Sequence, residues 1–200
     1  TETYHRNEAI RYSTAKTYRG GLAYNFNSSP KNVSPFGSMK LFRSKYLRPV
    51  KEFNFYYMPS GFSFRADVDR QYTETLLRNT TQSPVPLDTT FNKAFNMTRI
   101  YDFKYDLTKS LKLDFQATNN SRIDEPAGRI NKKDSDYKQD VDSIKKSFAD
   151  GGGRTVKYHH SGNINYTVPI NKFPLTDWIS ATARYGYDYD WSAAPLTYDR

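Results

Sequence analysis

The stretch that most limits what this chain can become is Phe53–Arg78, FNFYYMPSGFSFRADVDRQYTETLLR. In its second half Phe62, Phe64, Ala66, Val68, Tyr72 and Leu76 fall on one side of an extended strand. Ser63, Arg65, Asp67, Asp69, Gln71 and Thr73 fall on the other. A period of two, apolar on one side and charged on the other, marks a strand with one dry and one wet face. The run outlasts the roughly 5–6 residues of a usual strand. Its first half, ahead of Pro59-Ser60-Gly61, predicts the partner strand of a tight hairpin.

The same pattern recurs through the chain. Strands are expected near 2–13, 17–27, 51–58, 62–78, 94–107, 111–121, 154–168 and 178–191, with a short link at 14–16 and a bend at Gly20-Gly21. Two long connections carry helical periodicity instead. Near 36–48, Phe36, Met39, Phe42, Tyr46 and Val50 recur among Lys and Arg, a basic amphipathic segment suited to an anionic surface or to its own domain. Near 134–149, Tyr137, Val141, Ile144 and Phe148 form one stripe, with Asp134 as the expected N-cap and Gly151–Gly153 as the exit.

Composition sharpens this. Mean hydropathy is −0.85, low enough alone to suggest weak burial. Yet the chain has 17 Tyr and 13 Phe, and disordered chains lack aromatics. Alternation reconciles the two, because half of every strand stays wet. No run approaches the roughly 18 apolar residues of a membrane helix, which leaves open a barrel, whose strands give a far weaker signal. The net charge of +9 comes without a recognition helix or an RNP-like motif, so nucleic acid is not an expected partner. Without Cys there are no disulfides or thiolate metal sites. The opening on Thr1 predicts a fragment or processed product, and the ending Leu196–Arg200 predicts an interior arc whose edge strands need neighbours.

Two regularities select a membrane barrel over a soluble sandwich. With the strands above, connections alternate short and long, which sorts tight turns to one end and long loops to the other, as in outer-membrane barrels. The strands also reach the 9–11 or so residues that cross a bilayer at a tilt. The expected fold class is therefore all-β: an antiparallel meander forming an arc of a large transmembrane β-barrel, with short amphipathic helices in the long loops. All 200 residues belong to that one outer-membrane barrel.

The two faces then take roles. The lipid-facing set is Phe62, Phe64, Ala66, Val68, Phe103, Tyr105, Leu113, Phe115, Ile164, Tyr166, Ala183, Tyr185, Tyr187, Tyr189 and Trp191. The last four form an aromatic girdle. The lumen-facing polar wall is Arg65, Asp67, Asp69, Asp102, Lys104, Asp106, Lys112, Asp114, Lys157, Arg184, Asp188 and Asp190. Neither sign dominates that wall, unlike the one-signed rings of ion-selective pores.

Enzymatic readings are weak, and no enzyme activity is expected. Asp67/Asp69 and Asp188/Asp190 are i, i+2 carboxylate pairs that fit paired lumen charges better than acid–base catalysis. His159 and His160 are adjacent on a strand and so point to opposite faces, which rules out a shared metal; His5 stands alone. Gly151-Gly152-Gly153-Arg154 lacks the Lys-Ser/Thr of a phosphate loop. No cofactor and no metal are expected.

Four stretches carry a family resemblance: Arg19–Asn27, Leu41–Asn79, Ser110–Gly128 and Val168–Trp191. In that order, and over nearly the whole chain, they resemble the SprA/Sov family, the outer-membrane translocons of the type IX secretion system of Bacteroidetes, which gliding motility also requires. The resemblance implies a very large single-chain barrel in the outer membrane of a Gram-negative bacterium. Such a barrel passes folded cargo proteins to the cell surface. It also implies a PorV-like barrel and a plug protein as partners, beside the cargo and the outer-membrane lipid. It implies no catalytic residues. The alternatives are a soluble surface adhesin or carbohydrate-binding β-protein, and a substrate-specific outer-membrane porin.

Overall fold

A computed structural model describes residues 1–39, 45–80 and 87–194 of the chain. Its centre is one antiparallel sheet of seven strands, joined in chain order as a meander. The strands are β1 (Glu2–His5), β2 (Ile10–Asn27), β5 (Gly61–Leu77), β6 (Thr90–Asp106), β7 (Leu111–Arg122), β8 (Arg154–Val168) and β9 (Ala181–Ser192). A separate ribbon pairs β3 (Asn32–Val33) with β4 (Phe55–Tyr56). The helices are short: α1 (Arg48–Lys51) after a 3-10 turn at Lys45–Leu47, α2 (Tyr137–Ala149), and a 3-10 turn at Pro169–Lys172.

Three expectations about the strands are corrected. The expected hairpin over Phe53–Arg78 does not form, because β5 pairs with β2 over its whole length, from Ile10↔Leu77 to Asn27↔Gly61. A strand of 18 residues offers β5 far more ladder than the six residues 53–58 can. The segment 51–58 gives only the two strand residues of β4. Asn54 holds it off the sheet by donating to the Glu52 carbonyl and accepting from Asn32 Nδ2 and the Lys109 amide.

The second correction concerns the N-terminal strands. There is no link at 14–16; Thr14, Ala15 and Lys16 lie inside β2, opposite Glu74, Thr73 and Tyr72. The chain turns instead before Ile10, whose amide donates to Asn7 Oδ1 at 2.6 Å, an Asx-type turn. Gly20 and Gly21 do not break the strand. A Cβ on Gly21 would sit 2.7 Å from Asp67 Oδ1, so the glycine lets the neighbouring carboxylate lie across the backbone.

The third follows from the first two. Removing one strand reverses the direction of every later one, so the connections do not sort by length. One rim, called here the first, carries the connections 6–9, 78–89 and 123–153. The second rim carries 28–60, 107–110 and 169–180. Each rim has one tight turn and one long excursion.

Of the helix expected near 36–48, the described part shows turns at 35–38 and helical residues only from Lys45 to Lys51. Residues 40–44, the second-loop prolines Pro84 and Pro86, and the tail Leu196–Arg200 lie outside the described residues. The second helix starts at Tyr137 rather than Asp134, and Asp136 takes the N-cap position without a side-chain cap. Its exit is as the glycines predict: Gly151, Gly152 and Gly153 have φ of 90°, 76° and 91°, left-handed values that cost glycine little.

Among the described residues the sheet has no second layer across its middle. Among the described residues the buried apolar side chains are only Ala66, Ala117 and Ile123. A globular domain normally packs a second layer on its sheet; here Leu22, Tyr24, Tyr185 and Tyr189 stay exposed.

Candidate functional site

Directly opposed residues of an antiparallel pair point to the same face, so the register settles which side chains travel together. One row runs Phe26, Phe62, Phe103, Phe115, Gly162, Tyr187 across six strands; the next runs Tyr24, Phe64, Tyr101, Ala117, His160, Tyr189. Extending these rows by twos along each strand gathers all fifteen residues of the expected lipid-facing set on this one face. The opposite face has rows such as Asn25, Ser63, Asp102, Gln116, Ser161, Asp188 and Ala23, Arg65, Ile100, Thr118, His159, Asp190. All twelve residues of the expected polar wall lie there.

The polar face satisfies itself locally. Arg19 Nε donates to Asp69 at 2.9 Å and Arg65 Nε to Asp67 at 2.6 Å. Ser63 Oγ donates to Asp102, and His159 Nδ1 lies 2.8 Å from Asp190. The carboxylates Asp67, Asp69 and Asp190 are thus each engaged by a basic side chain rather than poised as an acid–base pair. Lys104 and Asp114 sit directly opposite each other, beside an open depression of about 630 Å³ walled also by Gln116, Ser161, Asn165 and Arg184. Among the described residues no group of three or more His, Asp or Glu side chains could hold a metal.

His160 is on the other face, against Phe115, Tyr158, Tyr187 and Tyr189 with ring centroids 5.1–5.9 Å apart. It is part of the aromatic belt that Trp191 and Tyr158 continue. From Ala181 to Trp191 the apolar residues of β9 span about 33 Å at about 3.3 Å per residue. On β6 and β7 the apolar stretch is shorter, because Arg99, Asn119 and Ser121 share that face. There Gly152 closes over Met97 and Arg99, and Ser121 Oγ donates to the Gly152 carbonyl at 2.6 Å.

At the first rim this face changes character. Lys16, Arg70, Glu74 and Lys93 replace the apolar residues, and the connection 123–130 folds down onto them. Glu74, only 4% exposed, accepts from the hydroxyls of Tyr12 and Tyr72 at 2.8 Å each and from two nitrogens of Arg129. That pairing pushes the Arg129 guanidinium above its usual range, through the hydrogen bond first and the carboxylate charge second. Arg70 Nε donates at 2.6 Å to Glu125, whose side chain is 2% exposed. Lys93 Nζ donates to the Pro126 carbonyl at 2.7 Å.

These clamp residues escape a reading based on alternation alone. The signal was nonetheless present: Arg70 and Glu74 occupy the same alternating positions as Val68, Tyr72 and Leu76. A charge at an apolar position demands a partner, and the partners come from a loop that carries no periodicity.

The second rim is built from different chemistry. Phe36, Phe53 and Phe55 stack at centroid distances near 6.3 Å, and Tyr105 Oη donates to the Tyr56 carbonyl. Glu52 ties α1 to the 169–172 turn, accepting from Arg48 at 2.7 Å and lying 3.0 Å from Lys172. The Arg48 hydrogen bond, partly opposed by burial and helped by Lys172, holds the Glu52 carboxyl below its ordinary range. Compared with protein-family models and with curated proteins, the chain matches none.

Proposed function

We propose that this chain forms part of the wall of a protein-conducting outer-membrane β-barrel, the translocon of a type IX secretion system. In this reading it passes folded cargo to the cell surface and performs no catalysis. The observation that carries the membrane assignment is the bare apolar face. The sheet is seven strands wide and keeps its two faces apart from β2 to β9, yet among the described residues its aromatic side has no protein layer over the middle. In a membrane that side meets lipid, and the paired charges of the other line water. When the strands tilt by about 40°, the belt on β9 is about 25 Å tall, the height of an outer-membrane apolar band. Among the described residues the outer strands β1 and β9 pair on one side only, and such edges call for further strands. Loop lengths add no support, since neither rim is the short-turn rim.

The choice of translocon among barrels rests on the family resemblance. A PorV-like barrel and a plug protein are the partners it brings. The mixed-sign wall fits cargo of varied charge better than a solute-selective porin, whose wall is tuned to one ligand.

Single introduced cysteines test the facing, with the unsubstituted full-length protein as the labelling background. In the full-length protein in cells, Asp67→Cys and Asp69→Cys label with a membrane-impermeant maleimide, whereas Phe64→Cys and Val68→Cys are shielded. The reverse pattern overturns the facing. Depleting the protein leaves cargo in the periplasm if it is the translocon. Export that continues unchanged refutes the assignment, and a saturable, solute-specific conductance in planar bilayers makes it a porin. A full-length protein that stays monodisperse without detergent is instead a soluble adhesin-like β-protein.

A further inference from the structure

Beneath the 123–130 connection, where the apolar face meets the first rim, lies an open cleft of about 440 Å³. Its lining includes Lys16, Tyr18, Arg70, Tyr72, Lys93 and Arg129, with the carboxylates Glu2 and Glu74. The register explains the arrangement. Lys16, Tyr72 and Lys93 form one row across three strands, and Tyr18, Arg70 and Phe95 the next. Cations and aromatics therefore interleave on a single face. Arg70 stacks 5.9 Å from the rings of both Tyr18 and Phe95, and Lys93 lies 5.9 Å from the ring of Tyr72.

Charge accounting selects the ligand. Arg129 is bound to Glu74, Arg70 to the buried Glu125, and Lys16 to Glu2. Lys93 has no carboxylate within salt-bridge distance among the described residues; its one hydrogen bond goes to a neutral carbonyl. An ammonium has three donors, so two remain. The Lys16–Glu2 pair is an exposed one, with Glu2 61% exposed, and such pairs exchange partners at little cost. An anion held between the two ammonium groups, in the row that Tyr72 bridges, would thus meet Lys93 and Lys16 from either side.

We propose that this cleft binds a phosphate group, and that in the membrane the phosphate belongs to a lipid headgroup. This rests on the membrane reading above: the cleft sits one row beyond the apolar stretch of β5, at the level where headgroups lie. Tyr, Trp, Lys and Arg concentrate at that level in membrane proteins, and basic pockets there take phosphorylated headgroups.

Native mass spectrometry of the delipidated full-length protein in neutral detergent tests it, with phosphatidic acid and diacylglycerol of the same chains as probes. Phosphatidic acid is retained at least tenfold over diacylglycerol, and the preference falls to near parity in Lys16→Gln/Lys93→Gln. The exposed Lys138→Gln, on α2 at the same rim, keeps it. Inorganic phosphate added at millimolar concentration separates the sources. Weak competition supports a lipid-borne phosphate; displacement as efficient as by phosphatidic acid overturns the lipid assignment. Equal retention of both lipids by a protein that still requires detergent overturns the site and leaves the membrane reading standing. A protein that needs no detergent overturns the membrane reading itself.

Discussion

The two rims of the apolar face hold their loops by different means. At the first, a loop is pinned by buried carboxylates paired with guanidiniums, Glu74 of the sheet with Arg129 of the loop and Glu125 of the loop with Arg70 of the sheet. At the second, aromatic stacking and one buried amide, Asn54, hold the 45–58 segment. The contrast shows how a single-layer sheet keeps its ends in order without a core. Where the face carries charge, a loop must supply the countercharge. Where it stays apolar, aromatic side chains suffice and many remain uncovered. Phe53, Phe55, Phe173, Leu175 and Trp178 are all exposed at the second rim.

The comparison breaks most easily inside the apolar band between the rims. Phe64→Arg in the full-length protein, inside the apolar stretch of β5, should cost about 2–4 kcal/mol, while Ser63→Arg, one residue back on the polar face, should cost well under that. Denaturant unfolding in lipid vesicles measures both, and equal costs would mean that the faces do not differ in environment.

Next comes the clamp. Arg129→Ala leaves the buried Glu74 carboxylate with only two tyrosine hydroxyls, and about 2–3 kcal/mol of local stability should be lost. Glu74→Gln strands only a guanidinium that can turn to water, at about 1 kcal/mol. Hydrogen exchange at the Ile123 amide, which donates to the Phe95 carbonyl, reports the opening. The asymmetry is the diagnostic result, and a costlier Glu74→Gln would contradict it.

At the second rim Asn54→Ala removes three hydrogen bonds and leaves the Lys109 amide without its partner, for about 1–2 kcal/mol. Exchange should quicken at Lys109 and leave the first rim unchanged. The smallest effect is on acidification. Because the Glu52 carboxyl is held below its ordinary value of 4.5, its tie to Arg48 and Lys172 is fully present above that pH. The tie weakens as pH falls below it. The change is small, since both cations are partly in water, and Glu52→Gln should abolish whatever pH dependence the α1 amides show.

What the sequence revealed was local alternation; what it hid was competition between strands. Residues 62–76 alternate so regularly that the facing of β5 follows directly, and register then carries that facing from β2 to β9. The segment Phe53–Met58 is rich enough in aromatics to read as a strand, but such a composition says only that a stretch could pair. Which stretch wins depends on a distant partner, β2, paired from Asn27↔Gly61 to Ile10↔Leu77 and with more ladder to offer. The clamp was hidden for a related reason. Glu74 stood out of pattern on its strand, but Arg129 and Glu125 come from an aperiodic loop, and nothing along the chain ties them to it before folding. The seven-strand meander had its own cost: one strand miscounted reversed the sense of every loop after it.

That count has a further consequence. In a meander each strand reverses its predecessor, so with seven strands the first and last point the same way. Bringing β9 round to β1 would create a parallel seam, whereas single-chain bacterial barrels close antiparallel on an even number of strands. This sheet cannot seal itself into such a cylinder. Any antiparallel closure must recruit an odd number of additional strands.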